Sequence, residues 1–188
     1  MRLKRLAVSR SDHKTSVKSL EPILDLLRTS RRKFVATANE VPTELWRTSP
    51  GAGRWSSAEV VAHVTMVEEA IIGGAKKVLQ AAPKPVPFLK RLHAPVALAA
   101  WRGTKRRSPV ELDQSLVTDR PDALNRLDAA RETSVGFIES TRGQDLRVYR
   151  FPHPFLGSLN VYDWFRMIAY HDLRHEQQIR EVVETIHR

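Results

Sequence analysis

The 188-residue chain is long enough to bury a core of its own and short enough to favour a single domain. Its 41% hydrophobic and 28% charged residues exclude a disordered chain, and no apolar run approaches the ~18 residues that span a bilayer. With no cysteine, disulfides, thiolate metal ligands and a cysteine nucleophile are excluded as well. The net charge of +10 raises nucleic acid as a partner, but the charge is unevenly placed. Residues 1–40 hold ten Lys/Arg against four Asp/Glu, and residues 84–107 hold seven Lys/Arg with no acid. A run such as Lys105-Arg106-Arg107 reads as a solvated loop, so a nucleic-acid partner is not favoured.

Residues 1–17 are basic and lack the apolar stretch of roughly 7–15 residues that marks a secretory signal. They read as a flexible leader to one domain over 18–188, and a cytoplasmic protein is expected. A first helix is predicted over 19–39, where Leu20, Leu24, Leu27, Phe34 and Ala38 recur at helical spacing. Val41-Pro42 ends it, because proline disfavours a helical predecessor. Ser56-Ser57-Ala58-Glu59 is a capping box and opens a second helix, expected to reach Ala81, with Val60, Val64, Val67, Ile71 and Val78 as its apolar stripe. Prolines 83, 85 and 87 stop it.

Within residues 82–118 short helices are predicted over 88–93 and 96–101. Asp119-Arg120-Pro121 starts a third long helix, with Leu124, Leu127, Ala130, Val135 and Ile138 inward as far as Thr141. Residues 146–159 have extended character. Asn160 then caps a last helix, with Asp163 at its third position. Four amphipathic helices joined by one long and two medium connections predict an all-α, antiparallel four-helix bundle.

The last helix carries Val161, Trp164, Ile168, Ile179, Val182 and Ile186 on one face, and His171 and His175 fall on that face at ~100° per residue. Four residues apart, their Cβ atoms lie roughly 5–6 Å from each other, close enough for two imidazoles to share one cation. His63 lies at the edge of the second helix's stripe. Two readings stay open at this point: core histidines bonded to backbone, or three ligands of one divalent ion with open positions. Burying unpartnered imidazoles is costly, which favours a shared partner for the pair.

The segments His153-Pro154-x-x-Gly157 and His171-Asp172-x-Arg174-His175-x-x-Gln178-Ile179 resemble the C-terminal signature of the DinB-like superfamily. Trp55-Ser56-x-x-Glu59-x-x-x-His63 resembles its first motif, and the loop with Pro50 and Gly53 is similar too. The resemblance covers about residues 18–187. It implies an up-down four-helix bundle with a long crossover between the second and third helices, often a homodimer, and a metal held by His63, His171 and His175. It also implies a metal-dependent enzyme acting on a small-molecule substrate, a thiol-dependent S-transferase or isomerase using mycothiol, bacillithiol or glutathione. A metal-dependent hydrolase stands second. Zinc or nickel is the expected ion, with iron or manganese also compatible with three imidazoles.

Glu59 and Gln178 are candidates for orienting ligands or lining a pocket, and Arg174 for holding an anionic substrate or a partner subunit. Asp172 projects ~100° from His171 and is expected to form an outward ion pair near Arg174 or Glu176. Trp164 is expected in the core and His153 in a turn; His13, His93 and His187 receive no role. A di-iron site needs two Glu-x-x-His motifs, which are missing, and a serine hydrolase needs a G-x-S-x-G elbow, which is missing too. The contrasting function is a non-catalytic, metal-binding bundle that acts as a stress-related or interaction protein.

Overall fold

The computed structural model describes residues 19–83, 85, 87, 93–103 and 111–187. The leader, most of the short helix expected over 88–93, and Lys105-Arg106-Arg107 lie outside them. The long helices among the described residues are α1 (Glu21–Glu40), α2 (Ser57–Leu79), α3 (Arg120–Ser140) and α4 (Val161–Ile186). Each begins or ends where local chemistry dictates. Ser56 accepts from the Glu59 N–H while the Glu59 carboxylate accepts from the Ser56 N–H, closing the capping box. Proline stands in the first turn of α1 and α3. Asn160 Oδ1 accepts from the Asp163 N–H at 3.1 Å and caps α4. The expected short helix after Pro95 is present as a 3-10 turn, Val96–Ala100, packed against α4.

The extended stretch before α4 is a two-stranded antiparallel hairpin, β1 (Arg150–His153) and β2 (Gly157–Asn160), with His153 opposite Gly157. Gly157 has φ +87°, a left-handed conformation that glycine adopts without strain as the chain turns into β2. Phe151 stacks on Trp164 with ring centroids 4.5 Å apart, and the Trp164 indole N–H donates to the Phe151 carbonyl. The hairpin thus plugs one end of the bundle, with Trp164 in the core as expected.

Cross-helix bonds give the direction of each helix. Arg142 meets Glu21, Arg28 meets Glu139, and Arg31 donates to the Leu127 carbonyl, so α1 and α3 are antiparallel. Ser30 meets Asp172 and Thr37 meets Glu176, so α1 and α4 run parallel. One apolar cluster joins Val60, Val61 and Val64 to Leu124, Leu127 and Ile179. The other joins Ile71, Ile72 and Ala75 to Ile138 and to the N-terminal half of α4. Hence α2 is parallel to α3 and antiparallel to α4. The four-helix bundle and its long crossover are as expected, with one refinement: the order is up-down-down-up. A long connection returns the chain to the end where α2 began, so α3 repeats the direction of α2.

Between the two apolar clusters lies a polar layer with one ionised residue from each helix: Arg31, Glu68, Arg131 and Asp172, each 5% exposed or less. Arg31 donates to Glu68 (2.6 Å) and to both oxygens of Asp172 (3.2 Å each). Arg131 donates to Glu68 (2.9 and 3.1 Å) and to Asp172 (2.9 Å). Ser134 donates to Glu68 at 2.6 Å, and Ser30 to Asp172 at 3.3 Å. Two cations and two anions leave no net charge in the interior. The expected outward ion pair of Asp172 is therefore corrected: its carboxylate is 0% exposed and faces two guanidiniums. Burial pushes the Glu68 carboxyl up, but Arg131 and Arg31 outweigh it and hold the group below its ordinary value.

Candidate metal centre

His63 comes from the second turn of α2, which the capping box starts at a defined residue. His171 and His175 come from adjacent turns of α4. Asp172, next to His171, is drawn to the centre of the bundle by Arg31 and Arg131, which rotates His171 and His175 toward α2. The Nε2 atoms of His63 and His171 lie 3.3 Å apart, and those of His171 and His175 lie 3.0 Å apart. One ligand atom from each of the three residues falls within 4.8 Å of the others.

These separations test whether the donor set fits a metal. Two imidazole nitrogens at ~2.0–2.1 Å from one ion stand about 3.0–3.4 Å apart at ordinary bond angles. The two pairs that share His171, at 3.3 and 3.0 Å, fall in that span, and the ligand atoms of His63 and His175 lie within 4.8 Å of each other. The rings also carry the right charge state. Burial pushes the pKa of His63 down to about 4. His171 is pushed well below its ordinary value by burial, then by the neighbouring charges of His63 and Arg174. His175 is lowered in the same way by burial, His171 and His63. Three neutral imidazoles offer lone pairs and no positive charge for a cation to displace. The set therefore fits a divalent ion.

Gln178 Oε1 lies 2.8 Å from His175 Nδ1, so this candidate does reach a triad ring. Glu59 does not: its carboxylate is taken up by the Ser56 N–H and hydroxyl, while His63 Nδ1 is buried without a hydrogen-bond partner. The capping job accounts for Glu59. The Trp55 ring, 4.8 Å from that of His63, covers the imidazole instead. Arg174 donates to the Trp101 carbonyl of the connection between α2 and α3. His153 Nδ1 accepts from the Phe155 and Leu156 N–H groups at 3.1 Å each, closing the hairpin loop. That leaves its proton on Nε2, with no lone pair to offer a metal, in line with a turn role. His93 pairs with Asp163 at 3.2 Å, away from the triad.

Sequence reasoning missed Arg31, Glu68 and Arg131. A signal existed: Glu68 is four residues after Val64 and three before Ile71, and Arg31 is four after Leu27 and three before Phe34. Arg131 follows Leu127 by four and precedes Ile138 by seven. Each is a charge on the buried stripe of its helix, two cations and one anion. Arg102 was missed as well; no spacing links it to the triad.

The chain belongs to the DinB superfamily, which its residues 26–179 match. It is similar to the uncharacterized protein YuaE of Bacillus subtilis (strain 168), with 30% identity over 140 residues covering 74% of this chain and 83% of the relative. It is also similar in structure to TT2238, described as a four-helix bundle protein, with a TM-score of 0.58 and 21% identity over 87% of this chain and 99% of the other. That structural likeness shows the fold alone. Among the described residues no helix is long and apolar enough to cross a membrane.

Proposed function

We propose that the protein is a divalent-metal-dependent enzyme, with His63, His171 and His175 as the metal ligands, acting on a small electrophilic substrate with a low-molecular-weight thiol as cosubstrate. The observation that carries the metal reading is the convergence of three neutral imidazoles, with His171 Nε2 at 3.3 Å from that of His63 and 3.0 Å from that of His175. A divalent ion there lowers the pKa of a bound thiol or water and so supplies a nucleophile near neutral pH. The chain has no cysteine, so a sulfur nucleophile has to come from outside. His63 is held by the start of α2 and His171 by the anchored Asp172, so the triad is organised before any ligand arrives. Family resemblance supports a homodimer.

The contrasting reading is a metal-binding bundle whose role is interaction. A cavity of about 230 Å³ is lined by Glu69, Ile72, Arg126 and Thr133, and one of about 550 Å³ by Lys33, Ala100, Glu176 and Arg180; neither includes a triad histidine. Elemental analysis of untagged protein after incubation with zinc, nickel or manganese tests the metal. One ion per chain is expected in the wild type and none in His171→Ala; equal contents in both would sink the reading. A panel of thiols and electrophiles then separates the two functions: turnover lost in each His→Ala variant supports the enzyme, and no turnover by metal-loaded protein supports the interaction protein.

A further inference from the structure

Arg102 stands just after the 3-10 turn of the connection between α2 and α3, and it reaches across to α4. Its Nε and Nη2 donate to the two carboxylate oxygens of Glu181 at 2.9 and 2.7 Å, a bidentate pair. Its Nη1 donates to Gln178 Oε1 at 3.0 Å. A guanidinium has donors only, so the amide atom facing it has to be the oxygen, and the orientation of Gln178 follows. The same oxygen lies 2.8 Å from His175 Nδ1. An amide oxygen accepts only, so His175 carries its proton on Nδ1, and the lone pair of Nε2 points at His171 and His63.

We propose that Arg102, Gln178 and Glu181 are positioning residues that hold His175 in the Nδ1–H tautomer, so that its metal affinity depends on docking of the α2–α3 connection through Arg102. The inference rests on the metal reading above and adds residues the triad motif does not contain. Glu181 orients Arg102, Arg102 orients the Gln178 amide, and Gln178 orients the imidazole. Carbonyl or carboxylate partners on the second nitrogen of a ligating histidine act in this way, and losing them typically costs ~10–100-fold in metal affinity. The Val96–Ala100 turn packs against α4 by apolar contact, and polar bonds join the end of that turn to the same helix. The Arg102–Glu181 pair and the Arg174 bond to the Trp101 carbonyl supply that link.

The test uses the full chain, with ¹⁵N-labelled histidine and no metal, followed by zinc titration. In the wild type the His175 ring is expected as Nδ1–H with Nε2 unprotonated, assigned by loss of its signals in His175→Gln. In Gln178→Leu that tautomer should lose its dominance, and zinc affinity should fall about 10–100-fold. Arg102→Met should shift both readouts in the same direction. The double variant should be no worse than Gln178→Leu, because Arg102 acts through Gln178. Gln178→Glu should restore both, since a carboxylate accepts from Arg102 and His175 alike. A wild type that binds zinc while Gln178→Leu and Arg102→Met keep its tautomer and affinity overturns the positioning role alone. A Gln178→Glu variant as weak as Gln178→Leu overturns it too. A wild type that takes up no zinc, nickel or manganese overturns the metal reading, and the affinity role with it.

Discussion

Asp172 and His171 are neighbours in the chain, yet their side chains enter different surroundings, the first among two guanidiniums and the second among imidazoles. The helix sets the ~100° between them. The buried charges set which of the two faces the centre. Removing one partner from a buried ionic cluster leaves the others unpaired in a poor solvent, which costs about 3–5 kcal/mol, against 0–1 kcal/mol for an exposed pair. Asp172→Asn should therefore lower the unfolding free energy in urea by about 3–5 kcal/mol. A loss below about 1 kcal/mol would mean that the cluster does not act as a buried network. The three histidines behave differently, because neutral imidazoles already suit a dry site.

At the scale of elements, α2 sets the height of His63 through its first turn. Ser56 and Glu59 exchange two bonds there, and His63 follows one turn later. Ser56→Ala should reduce stability by about 1 kcal/mol, read from thermal or urea unfolding. Because Glu59 serves the cap and not the imidazole, Glu59→Gln should leave zinc affinity within about threefold of wild type, well inside the loss expected for an orienting residue. The hairpin has a comparable role at the other end. Gly74 near the C-terminal end of α2 allows the Phe151 ring to approach; a Cβ there would lie 3.1 Å from Phe151 Cε2. Helix boundaries were legible because caps and prolines are local signals. The parallel run of α2 and α3 was not, because it follows from where the connection re-enters the bundle.

For the whole molecule, the polar layer divides the core into two apolar halves and ties all four long helices together. It also gives stability a pH dependence. Glu68 has a folded pKa below its unfolded value, so the unfolded chain takes up its proton first as the pH falls. The stability from Glu68 is complete above the unfolded carboxylate value of about 4.3 and is lost as pH drops through the folded value. Wild type should thus destabilise as pH falls below about 4.3. Glu68→Gln, already weaker at pH 7, should show a shallower slope there by urea unfolding at fixed ionic strength. Parallel slopes in the two proteins would place the acid sensitivity elsewhere.

The three histidines show where sequence ends and tertiary structure begins. Spacing alone put His171 and His175 on adjacent turns of one helix, since an i, i+4 pair shares a face in any α-helix. The capping box likewise determined where α2 starts, and so the height of His63. These are short-range consequences of backbone geometry. The meeting of His63 with the other two depends on α2 and α4 lying antiparallel at one rotation. That was decided by Arg31, Glu68, Arg131 and Asp172, charges whose burial becomes affordable only when all four helices supply their partners. The placement of Arg102 beside Gln178 is of the same kind, because a contact across 76 residues leaves no periodic trace in either segment.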